Sequence, residues 1–322
     1  MKFVRWSSFI LAFVLAAVVA SSGLARGADA QNVRLLMNWF IQADQAGFWQ
    51  AQIDGLGAAR GIAITVIQGG PKIQTIPQVA SGQAEFGVAN ADDLLQARLH
   101  GVPVKAVFAY LDYAPYILEY HPDPKIKSLV DLKDDTFAVS LGFAYWEWLK
   151  DHYHLTTVHE IPVTGDLTMF RLQPTLAQQG YSLYLPARMD EAGIPNSYLS
   201  VAALGYRPYS VLFTTDDMIA KHPALVRDVV ATVKQGWQNY LADPGKFSAM
   251  ALGMNSQISP AVNESAYKIL DDGSLIPRNH AHIGCMSDAR WAELTKQLQA
   301  VNLLPATFDP KQAYTLAMES GC

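Results

Sequence analysis

The sequence predicts an α/β protein of two lobes, each a mostly parallel sheet flanked by helices, with a cleft between them. Two observations carry this expectation. Short apolar runs alternate with amphipathic stretches from Val33 onward, the pattern of strands and crossover helices. About 290 residues follow an amino-terminal apolar segment, enough for two compact units.

Residues 33–37 read as the first strand, 46–60 as the first helix and 62–67 as the second strand, with Gly61 as the helix stop between them. Residues 73–81 form a helix containing Pro77, 86–89 a short buried strand, 92–100 a helix and 104–109 a strand. A second set begins near Tyr116, with strands over 136–140 and 158–163 enclosing a helix over 145–154. After Pro208 a strand over 209–214 leads into an almost wholly helical remainder, including 223–241. The expected organisation is therefore a first lobe from 31–114, a second from 115–207, and a return to the first over 208–322.

The first thirty residues have the character of an export signal. Lys2 and Arg5 precede an uncharged run from Phe9 to Ala20, then Ser21-Ser22-Gly23 and Ala28-Asp29-Ala30. Cleavage is expected after Ala30, with Ala28 as the neighbouring alternative. The run is shorter than the roughly 20 residues that span a bilayer, and no cysteine follows it to carry a lipid. A free periplasmic protein is the expectation. In that oxidising compartment the two cysteines, Cys285 and Cys322, form one bridge or remain two thiols. The formal charge of −5 and the lack of a Lys/Arg cluster argue against a nucleic-acid partner.

Candidate binding residues cluster where strands end. Asn38-Trp39 and Asp44 lie beyond the first strand, the region where ligands bind in open α/β sheets. Trp39 offers a stacking face, and Asn38 and Asp44 offer hydrogen bonds to a polar ring edge. Asp44 could equally cap the helix. Gly69 and Gly70 permit close approach of backbone to a ligand, or a tight turn. Asn90 follows the next strand and faces the cleft or caps a helix. Tyr145 and Trp148 share a helix face while Trp146 points elsewhere; Tyr145, nearest the strand end, is the cleft candidate of this helix, and Tyr181 is the other residue expected from the second lobe. The pairs His152/His154 and His280/His282 lack companions for a metal site, and no metal is expected. There is no Gly-x-Ser-x-Gly elbow and no Cys near a His, so nothing demands an enzyme or a cofactor.

In order along the chain stand Asn38-Trp39-Phe40 with Asp44 and Ala46-Gly47-Phe48, Gly69-Gly70-Pro71, Ala80-Ser81-Gly82-Gln83-Ala84-Glu85-Phe86-Gly87-Val88, Gly180-Tyr181, Gly205-Tyr206-Arg207-Pro208-Tyr209, Gly236-Trp237 and Ile283-Gly284-Cys285-Met286-Ser287-Asp288-Ala289-Arg290-Trp291. Through these motifs, over residues 33–315, the chain resembles the ABC-transporter binding proteins that capture thiamine pyrimidine precursors. That family has the periplasmic binding protein type 2 fold. The resemblance implies a periplasmic solute-binding protein, expected to be a monomer, that closes on a small heteroaromatic compound and delivers it to an ABC permease and its ATPase. It further implies stacking by Trp39, ring-edge contacts from Asn38 and Asp44, and a pocket border at Gly69 and Gly70. Two departures bear on the ligand: Leu185 stands where a ligand-binding Glu is expected, and Gln45 replaces a common His. The alternatives are a ligand sensor for a membrane receptor and a pyrimidine-forming enzyme of the same fold. That enzyme carries a cysteine-rich motif absent here.

Overall fold

A computed structural model describes residues 30–318 and Cys322. The expected export signal, apart from Ala30, lies outside the described residues. Strand β1 (Gln31–Leu36) leads to helix α1 (Ala46–Ile53), β2 (Ile62–Ile67), α2 (Thr75–Ala80), β3 (Phe86–Asn90), α3 (Ala91–Leu99) and β4 (Val104–Leu111). The chain then builds β5 (Tyr116–Tyr120), β6 (Thr136–Val139), α4 (Ala144–His152), β7 (His159–Pro162), α5 (Leu167–Leu172), β8 (Leu176–Tyr181), α6 (Leu185–Glu191) and β9 (Ser197–Ser200). It closes with β10 (Ser210–Thr215) and helices α7 (Asp216–Lys221), α8 (Pro223–Ala242), α9 (Gly245–Met254), α10 (Pro260–Asp271) and α11 (Asp288–Ala300).

These strands form two five-stranded sheets, ordered β2-β1-β3-β10-β4 and β7-β6-β8-β5-β9. In the first, β10 runs antiparallel to both neighbours, and in the second β5 does the same. The remaining four strands of each sheet share one direction, which is the mostly parallel arrangement expected. The reversed strands have a common cause: each is the strand through which the chain enters after crossing from the other lobe. A chain that leaves one sheet at the carboxyl end of a strand and enters the next from the same side must run against its new neighbours. The carboxyl ends of the parallel strands in both sheets therefore face the junction between lobes.

The first helix is shorter than expected. It stops at Ile53, and Gly55 follows with φ of 61°, a left-handed value that suits glycine. Residues 58–60 form a separate 3-10 turn before Gly61, also left-handed at 70°, turns the chain into β2.

The core of the first lobe is aromatic. Trp237 on α8 is fully buried, stacked on Tyr110 with centroids 6.2 Å apart and met edge-on by Phe48 and Tyr240. Burying a side chain of this size contributes about 2 kcal/mol. A second cluster runs without interruption from Phe213 and Leu36 of the first sheet through Tyr116, Tyr206 and Tyr209 to Phe137 and Trp146 of the second. Trp146 packs on Phe137 while Tyr145 and Trp148 turn toward the opposite side, as helical spacing requires.

The two crossings between lobes, residues 112–115 and 201–209, are tied to one another. The Ala114 N–H donates to the Pro208 carbonyl at 2.7 Å. Arg290 of α11 donates to the Asp112 carboxylate at 2.7 Å and to the carbonyls of Asp112 and Arg207 at 2.5 and 2.8 Å. Its guanidinium also lies 4.0 Å above the Tyr209 ring. One planar fork thus holds both connections. Arg290→Met is expected to lower stability by about 1 to 2 kcal/mol in urea unfolding, a figure already reduced for solvent screening. Arg290→Lys should recover little of it, because an ammonium cannot reproduce the fork.

The carboxyl terminus is fixed by a disulfide between Cys285 and Cys322, which decides between the two states open to these cysteines. Cys285 follows Gly284, whose carbonyl accepts from the Ala109 N–H of β4 at 3.0 Å. Among the described residues no helix is long and apolar enough to cross a membrane.

Candidate functional site

Asp44 is buried at the end of the β1–α1 connection, and its partner comes from the other lobe. The Tyr184 hydroxyl donates to Asp44 Oδ1 at 2.5 Å and accepts the Asp44 backbone N–H at 2.9 Å. Asp44 is therefore not a helix cap; Gln45 holds the N-cap position of α1. Burial pushes the Asp44 carboxyl up to about 6, against the pull of the Tyr184 hydrogen bond.

Tyr184 belongs to the turn between β8 and α6 and packs with Leu183 into the first lobe's core. Leu185, the next residue, does not reach the junction. It packs over Gly180 within the second lobe, beside Ile117, Phe170 and Met189. The position expected to hold a ligand-binding carboxylate is thus a core position here, and the neighbouring Tyr184 makes the contact between lobes.

A second group joins the lobes at Asn90. Its Nδ2 donates to the Tyr116 hydroxyl at 2.9 Å, and its Oδ1 accepts from Ser210 Oγ at 3.1 Å. The Asn90 N–H also points to Asp93 Oδ2 at 3.4 Å, so this residue serves both helix start and junction. Tyr116 stacks on Tyr145 with centroids 4.7 Å apart and receives Tyr181 edge-on at 5.1 Å. The Tyr145 hydroxyl donates to Gln179 Oε1, which also accepts the Ser140 N–H at 2.7 Å. Close by, the Tyr206 hydroxyl donates to Asp92 Oδ2 at 2.8 Å.

Burial pushes the phenols of Tyr110, Tyr116, Tyr145, Tyr181 and Tyr184 above their ordinary range, and for Tyr110, Tyr181 and Tyr184 the Asp44 charge adds to it. They remain hydroxyl donors at neutral pH. Burial likewise raises the carboxyl of Asp93, with the adjacent Asp92 adding repulsion. The side chains that bond or stack within this junction are phenols, amides, a hydroxyl and carboxylic acids, with no Lys or Arg among these described contacts.

Of the residues picked from the sequence, Asp44, Asn90, Tyr145 and Tyr181 come together. Asn38 bonds to Gln45, the residue after Asp44, whose Nε2 donates to Asn38 Oδ1 at 2.9 Å. Trp39 is 39% exposed, with Phe40 edge-on at 5.6 Å. Gly69 and Gly70 are fitted to that loop. The Gly69 N–H donates to the Trp39 carbonyl, and a Cβ on Gly69 would lie 2.2 Å from the Met37 carbonyl. Their shape serves the close approach of two loops. Tyr110, Tyr116, Tyr184 and Gln179 escaped the sequence reading because each lies in or beside a buried strand and looks like core.

Three comparisons with known proteins bear on this geometry. The riboflavin-binding protein RibY of Chloroflexus aurantiacus is 23% identical over 305 residues, spanning 88% of this chain and 85% of that protein. The periplasmic aliphatic sulphonate binding protein SsuA of Escherichia coli superposes with a TM-score of 0.65 at 13% identity, covering 88% of this chain and 91% of that one. The alkanesulfonate-binding protein SsuA of Xanthomonas axonopodis pv. citri, bound to MOPS, gives 0.62 at 15% identity over 89% and 99%. The architecture is that of the periplasmic binding proteins. Residues 42–247, which include Asp44, Asn90, Tyr116, Tyr145, Tyr181 and Tyr184, match the family model described as NMT1/THI5 like, and the chain belongs to that family.

Proposed function

We propose that this chain, a solute-binding protein of an ABC import system, captures a planar heteroaromatic compound, neutral or cationic, between its lobes. The observation that carries the reading is the tyrosine-lined junction, in which Asp44 meets Tyr184 of the other lobe and no cationic side chain is among the described contacts. Phenol rings supply flat apolar faces, and hydroxyls, amides and a carboxylate supply directional edges. A sulfonate brought here would meet buried acids without a compensating cation, which electrostatics opposes. The name of the RibY relative agrees with a heteroaromatic ligand, and the resemblance to pyrimidine-precursor binders points to the same class.

The mechanism follows from the two-sided origin of the contacts. A ligand shifts an open–closed equilibrium only if it binds the two states differently. Asp44 and Asn90 come from one lobe, and Tyr116, Tyr145, Tyr181 and Tyr184 from the other, so closure is the state in which a ligand meets both sets. Residues 1–30 are the export signal in this reading. Residues 31–114 and 208–322 form the first lobe and 115–207 the second, and the closed form is presented to a permease in the periplasm.

Isothermal titration of the purified protein with riboflavin, a 4-aminopyrimidine, an alkanesulfonate and an amino acid tests the reading. Binding of either heterocycle supports it, and binding of the sulfonate or amino acid alone overturns the ligand class. Trp39→Ala should weaken binding of the heterocycle at least about tenfold through lost stacking, with little change in unfolding, since Trp39 is half-exposed. Unchanged affinity removes Trp39 from the site.

A further inference from the structure

Gln45 holds the N-cap position of α1 and is wholly buried, yet its side chain makes a single hydrogen bond, from Nε2 to Asn38 Oδ1. Its Oε1 is buried without a partner. A buried acceptor left unmet is costly to a fold and marks a place where something else completes the bonding. Two other buried amides share the feature, Gln50 and Asn263. Both sit inside helices, where Gln50 bonds Asp54 and Asn263 bonds Ser248. Gln45 is different in place: it stands beside the carboxyl end of β1 and next in sequence to Asp44, which takes Tyr184 from the opposite lobe.

Asn38 supplies the other half. Its Oδ1 is engaged by Gln45, which leaves the amide nitrogen as a donor. The pair together offers one acceptor and one donor side by side. Turning both amides over exchanges the roles of the two residues and leaves the same complement.

We infer that the Asn38–Gln45 amide pair reads an adjacent donor–acceptor edge of the bound ring, an N–H beside a carbonyl or ring nitrogen as found in a cyclic imide, lactam or amidine. The inference rests on the heteroaromatic reading of the junction and adds which edge chemistry the first lobe selects. The N–H, within the ring of an imide or lactam or on the exocyclic amino group of an amidine, meets the orphaned Gln45 oxygen, and the neighbouring acceptor meets the Asn38 amide. Rings of the same size that lack the N–H leave that oxygen buried and unmet, and they are rejected on this account.

The test uses two probe pairs, riboflavin with 3-methylriboflavin, and a 4-aminopyrimidine with its 4-dimethylamino analogue. Each is titrated into the wild-type protein and into Gln45→Leu. The wild type is expected to bind at least one parent compound and to lose about tenfold or more in affinity on methylation, the usual effect of an unmet buried polar group. In Gln45→Leu the parent should bind about tenfold more weakly, and the difference between parent and methylated compound should vanish. Gln45→Leu removes the unsatisfied acceptor and also the Nε2 bond to Asn38 Oδ1, two changes of opposite sign in the ligand-free Tm, so the discrimination between parent and methylated ring is the deciding readout. If the wild type binds parent and methylated rings equally, or if Gln45→Leu keeps the discrimination, the inference falls while the heteroaromatic reading stands. A lower Tm with unchanged affinity gives Gln45 a structural role and also overturns it. Failure of the wild type to bind any ring of either pair rejects the reading of the junction, and this inference with it.

Discussion

Replacing Gly236 by alanine is expected to lower the stability of the protein by about 3 kcal/mol or more, the upper range for overfilling a packed core. Gly236 lies in the middle of α8 where that helix crosses α1. A Cβ at this position would stand 2.1 Å from the Gly47 carbonyl oxygen and 2.8 Å from the Ala51 Cβ. Neither neighbour is the end of a flexible side chain, so relief requires the helices to separate. Separation is opposed from the same interface, because a Cβ on Gly47 would in turn strike the Trp237 ring at 2.2 Å, which shows how closely the ring seats against α1. On an exposed helix face glycine to alanine stabilises by up to about 1 kcal/mol through propensity, and here the clash reverses the sign. Urea unfolding followed by tryptophan fluorescence measures the midpoint, and a midpoint at or above the wild-type value would show that the helices can part without loss.

Glu119→Gln is expected to stabilise the protein at alkaline pH and to leave it nearly unchanged at pH 4.5. Glu119 lies in β5 with no exposed surface, and neither carboxylate oxygen has a hydrogen-bond partner. Burial pushes its carboxyl up to about 8, and the charge of Asp190 adds to the shift. The unfolded chain gives up this proton near pH 4.5, while the folded chain holds it until about 8. Below the lower value both states are protonated and the group has no effect. As pH rises between the two values the unfolded state is favoured progressively, and above about 8 the loss is complete. The sum is on the order of 3 kcal/mol at pH 7, reading each pKa unit as about 1.4 kcal/mol. Glutamine keeps the neutral shape and removes the proton, so the stability difference between variant and wild type should grow from pH 5 to pH 8. Parallel pH profiles of the two proteins would show that this carboxyl is not the one that titrates.

The alternation of strands and helices was legible because each strand is a short apolar run ended by a turn residue. The first helix was overextended because Gly55 and Gly57 look tolerable in a helix until one sees that Gly55 is left-handed and that Gly57 leaves no room for a Cβ beside Ile62. The site was half legible. Asn90 ends β3 and Asp44 lies in the connection that follows β1, where position alone raises suspicion. Tyr116 and Tyr110 belong to buried strands, where an aromatic residue reads as core. Tyr184 is not legible because its partner Asp44 lies 140 residues away, and because the family resemblance points to Leu185, one position beyond. A one-residue offset at the start of a helix sends a side chain to a different face, into the second lobe rather than across the junction. The cysteine pair could be counted but not joined, because spacing along the chain says nothing about distance in space.

The insertion of β10 between β3 and β4 has a consequence for the order in which the molecule is built. The second sheet is made from one continuous stretch, β5 to β9, and every strand in it is present once Ser200 has emerged. The first sheet at that moment has β2, β1 and β3 on one side and β4 on the other, with an unfilled gap between them. Only when Ser210–Thr215 arrives can the gap close. Its partners on β3 and β4 lie 99 to 126 residues earlier in the chain, from Ser210 with Leu111 to Phe213 with Gly87, contacts of the kind that slow folding. The later-made lobe is therefore free to fold first. The earlier-made lobe waits with two unpaired strand edges that invite non-native pairing. A chain that crosses a membrane before it folds would meet this delay on the far side.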